Sequence, residues 1–275
     1  MSIYAVLQGV VDTDRETTQS AVALARLLKR PLTGVCALPD PQSALMVVTT
    51  PESAGISAAA AKSLIDLQKD MLEAAESAFR DATASSGVDS TFLHRVGTAE
   101  GIAASAATLS EAIVFPRSAA QSGEPLSIAF DHVMMDERLP LILAGNKPYA
   151  AGPVIIGWDG SSGAARAVRF HAPLIEAAGE VIVAQNRQDA ERDGARPQVS
   201  PDSLVKWLGY RGVNCRTEAI EGDVAGALLG LADRSGATLI VAGAYGHSRL
   251  GERLFGGTSR RLLAADVAPA LALAR

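Results

Sequence analysis

Cysteine and aromatic residues are scarce in this chain. Two cysteines, Cys36 and Cys215, occur in 275 residues, far apart and without a C-x-x-C partner. Neither a disulfide framework nor a structural zinc site is therefore expected. Aromatic residues make up 4% of the chain against 48% for all hydrophobic residues, so its cores must be built from Ala, Val, Leu and Ile. This is the usual filling of a sheet that is covered by helices on both faces.

An excess of basic residues and a long apolar run are also missing. Lys and Arg number 25 against 30 for Asp and Glu, which gives a net charge of -5. A nucleic-acid binder would show a basic footprint, so no nucleic-acid partner is expected. No run of about 18 apolar residues is present to span a membrane, and the N-terminus has no basic leader followed by an apolar segment. These absences favour a soluble cytoplasmic protein with no membrane partner.

Short β-branched runs alternate along the chain with longer helical stretches, an order that predicts parallel strands joined by helical crossovers. The helix after the first strand has Asp12 or Thr13 as its predicted cap. Asp223 is the predicted cap of a later helix. The predicted strands are Ile3–Val10, Leu32–Leu38, Thr91–Val96, Glu111–Pro116, Leu139–Ala144, Pro153–Gly157, Glu180–Gln185, Val213–Ile220, Thr238–Ala242 and Ala268–Leu273. The predicted helices are Thr13–Lys29, Ala58–Ser85, Thr98–Leu109, Leu126–Arg138, Ser161–Ala178, Pro201–Gly209, Asp223–Ser235 and Gly251–Ala265.

The same order of elements occurs twice, which is an internal repeat at the scale of a domain. The segment Gly145–Gly152 is a short linker, and the repeat predicts two tandem five-stranded parallel α/β domains, at residues 1–147 and 152–275. Val154–Gly157 is matched with Val6–Gly9, and Leu239–Val241 with Ala112–Val114. The alternative is one large doubly wound sheet of about ten strands, and the linker and restart favour two sheets.

One stretch of the second half carries residues suited to phosphate binding. Gly243, Gly246 and Gly256 follow the predicted strand Thr238–Ala242 and lead into a helix. Ligands of open α/β sheets bind outside the carboxyl ends of the strands, where this loop should lie. Glycines let backbone N–H groups approach an anion, and a helix N-terminus favours a negative charge. The hydroxyl and guanidinium donors of the stretch are Thr258, Ser259, Arg249, Arg253, Arg260 and Arg261. The alternative is that the glycines only form a turn and the arginines coat an exposed helix.

The spacing G-x2-G-x9-G after the fourth strand of such a unit resembles the nucleotide-binding motif of the universal stress protein family. The resemblance implies a Rossmann-like five-stranded parallel fold for both halves, with tandem members joining the usual dimer in one chain. It also implies that ATP or a related adenine nucleotide binds, together with Mg²⁺. By position, Asp159 and Ser161 or Ser162 would lie beside the nucleotide, and Gln185 and Asn186 near its base. Ribose and phosphates would contact Gly243, Gly246, Gly256, Gly257, Thr258 and Ser259.

The sequence departs from the family motif at two places. ATP-binding members place Ser or Thr directly after the last motif glycine, where this chain has Gly257, with Thr258 and Ser259 next. The first half has no G-x2-G at the equivalent place, and Glu124 stands there instead. Its first strand region keeps an acid, Asp12. We therefore expect the first half to be a structural copy, in which Arg117 and Ser118 are candidates for a smaller anion.

Three hypotheses about function follow. The first is a stress-response or regulatory module that binds adenine nucleotide in the second half and couples it to a protein partner that the sequence does not identify. The second is an interaction or scaffold protein of the same fold without nucleotide. The third is a slow nucleotide hydrolase, for which Asp159 and His247 are the available bases and for which no nucleophile elbow or P-loop is present. The two halves are expected to pack through Leu139–Ala144 and Ala268–Leu273, and homodimerisation would cover open edge strands.

Overall fold

A computed structural model describes residues 2–40, 54–146, 152–186, 199–244, 261–263, 265 and 269–275. Ten strands and eight α-helices are defined within these ranges. The strands are β1 Ile3–Leu7, β2 Leu32–Leu38, β3 Ser90–Val96, β4 Ala112–Phe115, β5 Leu141–Leu143, β6 Val154–Gly157, β7 Val181–Asn186, β8 Cys215–Ile220, β9 Leu239–Gly243 and β10 Ala270–Ala274. The helices are α1 Val11–Leu28, α2 Ala54–Thr83, α3 Ala99–Thr108, α4 Ser127–Asp131, α5 Ser162–Phe170, α6 Ala172–Glu176, α7 Pro201–Gly209 and α8 Val224–Ser235.

The strands form one continuous sheet in the order β3-β2-β1-β4-β5-β10-β9-β6-β7-β8. Within each half every strand pair is parallel, so each half is a five-stranded parallel α/β unit, as predicted. The two units meet at β5 and β10, which pair antiparallel with Leu143 opposite Leu271 and Leu141 opposite Leu273. These strands lie in the segments predicted to join the halves. The preference for two separate sheets is wrong, because hydrogen bonds across this seam make the sheet continuous.

The strand register gives the correspondence between the halves. Ile3 and Val154 are equivalent, because each starts its strand and pairs with the first residue of both neighbouring strands. The predicted match of Leu239–Val241 with Ala112–Val114 is confirmed by this register. The predicted match of Val154–Gly157 with Val6–Gly9 is wrong by three positions. Similar apolar runs ending in glycine do not fix a register, which depends on cross-strand pairing.

Two apolar layers cover the sheet. One contains side chains of α1, α2, α5, α6 and α7, and the other contains side chains of α3, α4 and α8. Both are dominated by Ala, Val, Leu and Ile, as the composition predicts, and the largest fully buried side chains include Phe79, Phe115 and Phe130. In each half the helices before the third strand lie on one face and those after it lie on the other, as right-handed crossovers in a doubly wound sheet require. No helix among the described residues is long and apolar enough to cross a membrane.

Some of the predicted helix caps and helix ends agree with the structure and others do not. Asp223 caps α8, and its Oδ2 accepts a hydrogen bond from the Gly226 N–H at 3.3 Å. The cap predicted for the first helix is wrong, because α1 begins at Val11 and has no side-chain cap. The predicted helix Ser161–Ala178 is broken at His171 into α5 and α6, with Pro173 in the first turn of α6. Proline has no N–H to continue the hydrogen bonds of the preceding helix. The predicted helix Gly251–Ala265 lies mostly outside the described residues.

Candidate functional site

The carboxyl ends of β6 and β9 form the centre of the second half. These strands are neighbours, yet α5 follows β6 on one face and α8 precedes β9 on the other. The strand order therefore reverses between them, and such a switch point opens the crevice in which doubly wound sheets bind ligands. Asp159 and Ser161 follow β6, and Gly243 ends β9. The fold thus brings three of the predicted site residues to one edge.

Hydrogen bonds fix the turn between β6 and α5. The Ser161 N–H donates to Asp159 Oδ1 at 2.9 Å, and Gly160 between them has φ +73°, a conformation that favours glycine. Ser161 Oγ accepts a hydrogen bond from the Ala164 N–H at 3.1 Å and so caps α5. The Trp158 indole N–H donates to the Val199 carbonyl at 2.8 Å. Asp159 and Ser161 are therefore held in place before any ligand arrives.

Gly243 is the place where β9 touches the first turn of α5. A Cβ atom at Gly243 would lie 2.6 Å from the Ala164 nitrogen and 2.7 Å from the Gly163 carbonyl carbon. Both are backbone atoms, so the contact could be relieved only by moving the strand or the helix. The first glycine of the motif is thus required by packing, independently of any phosphate.

We predict that Gly243→Ala lowers the free energy of unfolding by about 2 kcal/mol, the usual cost of overpacking a fixed backbone contact. Gly209→Ala is the matched control, because a Cβ there meets no atom within 4 Å and the residue ends α7. The control should leave stability unchanged or raise it slightly, since alanine loses less backbone entropy than glycine on folding. Urea unfolding of the two variants measures the difference, and equal stabilities would contradict the assigned contact.

Other predicted site residues are only partly placed. Gly246, Gly256, Gly257, Thr258 and Ser259 lie outside the described residues, as do His247, Arg249, Arg253 and Arg260. Gln185 and Asn186 end β7, beside β6 at the same edge of the sheet. Arg261, considered above as a phosphate partner, is paired with Asp223 at 2.8 Å.

The equivalent turn of the first half contains a buried carboxylate that the sequence reasoning missed. Asp14 is 0% exposed, and its two oxygens accept hydrogen bonds from the N–H groups of Gln8 at 2.9 Å and Gly9 at 2.8 Å. By strand register, Gln8 corresponds to Asp159 and Asp14 to Ala165. Burial raises the pKa of Asp14 to about 6, so the group is mostly ionised above pH 7. The second half has no acceptor side chain at this position.

The acid that the sequence analysis assigned to the first half is the wrong residue. Asp12 is exposed and pairs with Arg15 at 2.8 Å. Strand register places Gln8 opposite Asp159, so Asp12 is not the counterpart of that acid. With the register given by β1 and β6, a comparison of Asp14 with Ala165 identifies the difference between the two turns.

Helix α2 lies across the same turn of the first half. A Cβ at Gly9 would be 2.8 Å from the Cα and Cβ of Met71. The Gln68 amide donates to the Pro39 carbonyl, just beyond β2, at 2.8 Å. Helix α2 has 30 residues, and its counterpart α7 has nine among the described residues. The carboxyl edge of the first half is thereby occupied by its own chain.

Arg117 follows β4 at the start of a 3₁₀ turn, Arg117–Ala120. Its Nη1 donates to the Pro269 carbonyl at 3.2 Å, and its Nη2 donates to the Leu262 carbonyl. Among the described residues, Arg117 Nε and Ser118 Oγ are buried without a partner. Two guanidinium nitrogens of the predicted anion candidate are therefore already engaged by the second half.

The histidines do not approach the β6–α5 turn in the described part of the chain. His94 is exposed on β3, and His132 contacts Asp136 at 2.9 Å. His171 is buried beyond the end of α5, where its Nε2 donates to the Leu273 carbonyl at 3.1 Å, and burial lowers its pKa to about 4. Within the described ranges no group of three His, Cys, Asp or Glu residues could hold a metal ion.

Comparisons with known proteins agree with this architecture. A search of curated proteins found no match. A universal stress protein from Archaeoglobus fulgidus DSM 4304 has a similar structure, with a TM-score of 0.70 and 12% identity over 100% of this chain and 96% of that one. A protein of unknown function from Pseudomonas aeruginosa PAO1 is similar with a TM-score of 0.55 and 14% identity, over 99% and 92% of the two chains. At these identities the similarity shows the fold.

The family model named universal stress protein family matches residues 151–267. This range contains the β6–α5 turn, Gly243 and the rest of the glycine motif. The second half of the chain belongs to the universal stress protein family, and it is joined by one continuous sheet to a first half of the same fold.

Proposed function

We propose that the second half binds ATP or a related adenine nucleotide with Mg²⁺, and that the protein acts as a regulatory module of the stress-response type. The observation that carries the proposal is the difference between the two switch points. In the first half the buried Asp14 carboxylate accepts the hydrogen bonds of the turn N–H groups, and Met71 of α2 lies against the same turn. The second half has Ala165 at the position of Asp14, and its described helix α7 is short. A buried negative charge disfavours a polyphosphate, so only the second half suits this ligand.

The proposed nucleotide site consists of residues of the β6–α5 turn and residues of the glycine motif. Asp159 and Ser161 would lie beside the nucleotide at a turn that is already ordered, which lowers the entropy cost of binding. Ribose and phosphates would contact the glycines and hydroxyls of the motif, Gly243, Gly246, Gly256, Gly257, Thr258 and Ser259. A cytoplasmic location fits the proposal, since the two cysteines are unpaired.

The contacts of the β6–α5 turn favour binding of nucleotide without rapid hydrolysis. Ser161 Oγ accepts the Ala164 N–H as a helix cap, and Asp159 Oδ1 accepts the Ser161 N–H. A nucleophilic serine needs a base within about 3 Å. In the described part of the second half the histidine is His171, which contacts the Leu273 carbonyl instead. We therefore regard nucleotide as a ligand that stabilises one state of the protein for an unidentified protein partner. At a hundredfold excess over its Kd, a ligand adds about 2.7 kcal/mol to stability.

Isothermal titration of ATP with Mg²⁺ into the full chain tests the proposal. We expect saturable binding of one nucleotide per chain, and loss of binding in Gly256→Asp, which adds a carboxylate within the motif. Gly209→Asp adds the same charge at the end of α7, where a side chain has free space, and should bind like the wild type. Absence of heat and of a thermal shift at millimolar ATP in the wild type would contradict nucleotide binding.

A further inference from the structure

Arg117 links the first half to the segment that follows the glycine motif of the second half. Its Nη2 donates to the carbonyl of Leu262, which lies in the helical residues 261–263 and three positions after Ser259 in sequence. Its Nη1 donates to the carbonyl of Pro269, the residue before β10. One side chain of the first half therefore holds two backbone carbonyls of the second half, one on each side of residues 264–268.

The position of Arg117 in the repeat corresponds to the start of the glycine loop in the second half. The equivalence of Ala112 with Leu239 places Arg117 opposite Ala244, one residue beyond the first motif glycine. The first half thus has an arginine at the place where the second half begins its glycine loop. The arginine donates to the other half, and the first half has no G-x2-G at this place.

The hydrogen bonds of Arg117 to the second half have a charged donor. Hydrogen bonds from a charged donor are roughly twice as strong as neutral ones, and a guanidinium presents its donors in a rigid plane. Burial lowers the pKa of Arg117 to about 10, so the group keeps its charge at neutral pH although it is desolvated. A buried cation is costly when its acceptors move away. The carbonyls of Leu262 and Pro269 are therefore held where they are.

A cavity of about 190 Å³ lies between the halves, and its walls include Arg117, Thr13, Asn146, Leu263 and Ala265. Leu262 and Leu263 are buried in the apolar layer that also contains Phe115 and Phe130. Beside this packing, the Arg117 guanidinium supplies a directed hydrogen bond from the first half to the helical segment.

We infer that Arg117 is a positioning residue for the nucleotide site of the second half: by holding the Leu262 and Pro269 carbonyls, it sets the helical segment that follows the motif and couples nucleotide binding to the contact between the halves. The inference rests on the proposed function for its ligand. The first half then contributes to binding without contacting nucleotide.

Two measurements on the full chain test this role. ATP with Mg²⁺ is titrated into wild type, Arg117→Met and Arg117→Lys, and amide hydrogen exchange of a peptide covering residues 261–263 is followed without nucleotide. We expect Arg117→Met to weaken binding about tenfold and to accelerate exchange. Arg117→Lys should fall between Arg117→Met and the wild type, because an ammonium group lacks the planar fork that spans two carbonyls. Arg15→Met, which removes an exposed arginine paired with Asp12, should change neither value.

The outcomes separate the inference from the proposed function. Wild-type affinity in Arg117→Met together with unchanged exchange overturns the inference and leaves nucleotide binding intact. A wild type that does not bind ATP overturns the proposed function and the ligand-positioning role, while faster exchange in the variant would still support the structural link between the halves. If Arg117→Met does not fold, Arg117→Lys decides, and wild-type binding and exchange in that variant overturn the inference.

Discussion

Replacing Ala165 with aspartate should weaken the binding of ATP with Mg²⁺ by at least roughly a hundredfold. The new carboxylate would take the position that Asp14 has in the first half, where it accepts the N–H groups of the turn after β1. Two unit charges ~6 Å apart at an effective dielectric constant of ~20 repel by about 3 kcal/mol, which corresponds to roughly a hundredfold in affinity. Isothermal titration at pH 7.5 measures the change.

Two controls isolate the charge from other effects of the substitution. Ala165→Asn adds a side chain of the same size without the charge and should keep affinity within about threefold of the wild type. Asp14→Asn in the first half should not create a second site, because Met71 still lies against Gly9. Equal affinity of Ala165→Asp and wild type would contradict the view that a carboxylate at this turn excludes phosphates.

Acid should affect two variants in opposite directions. Burial lowers the pKa of His171 from 6.5 to about 4. Between these pH values the histidine is protonated in the unfolded chain and neutral in the folded chain. Burial raises the pKa of Asp14 from 3.8 to about 6, so below pH 6 the folded chain binds a proton that the unfolded chain does not. The first effect lowers the free energy of unfolding by about 3 kcal/mol between pH 6.5 and 4. The second raises it by a similar amount between pH 6 and 3.8, so the two nearly cancel in the wild type.

Each variant should reveal the effect of the remaining group. Asp14→Asn should lose about 3 kcal/mol of stability as the pH falls from 6.5 to 4, because only the His171 effect remains. His171→Gln, whose amide can still donate to the Leu273 carbonyl, should gain about 3 kcal/mol as the pH falls from 6 to 3.8. Urea unfolding midpoints at several pH values measure both slopes. Profiles parallel to that of the wild type would show that neither group has its assigned pKa.

The sequence predicts the order of elements well because that order depends on local patterns. Leu32–Leu38 and Pro201–Gly209 were predicted with the observed bounds. Runs of β-branched residues between helical stretches carry this information without reference to distant residues. The joining of the two halves through their last strands also followed from the repeat, and β5 and β10 confirm it.

The remaining features depend on contacts between distant parts of the chain. The start of α1 was misplaced because polar residues near its N-terminus look like caps, whereas Asp14 reaches back to Gln8 and Gly9. The contact of Met71 with Gly9 and the bonds of Arg117 to the second half join residues far apart in sequence. Of the predicted site, Asp159, Ser161 and Gly243 meet at one edge. The roles of the other motif residues stay predictions.

In our proposal the second half of the chain binds nucleotide and the first half does not. Photolabelling of the full chain with azido-ATP and Mg²⁺, followed by peptide mapping and measurement of stoichiometry, tests this difference between the halves. Our account predicts one nucleotide per chain, with the label confined to residues 152–275 and suppressed by excess ATP. Suppressible label within residues 2–146, or two nucleotides per chain, would contradict it.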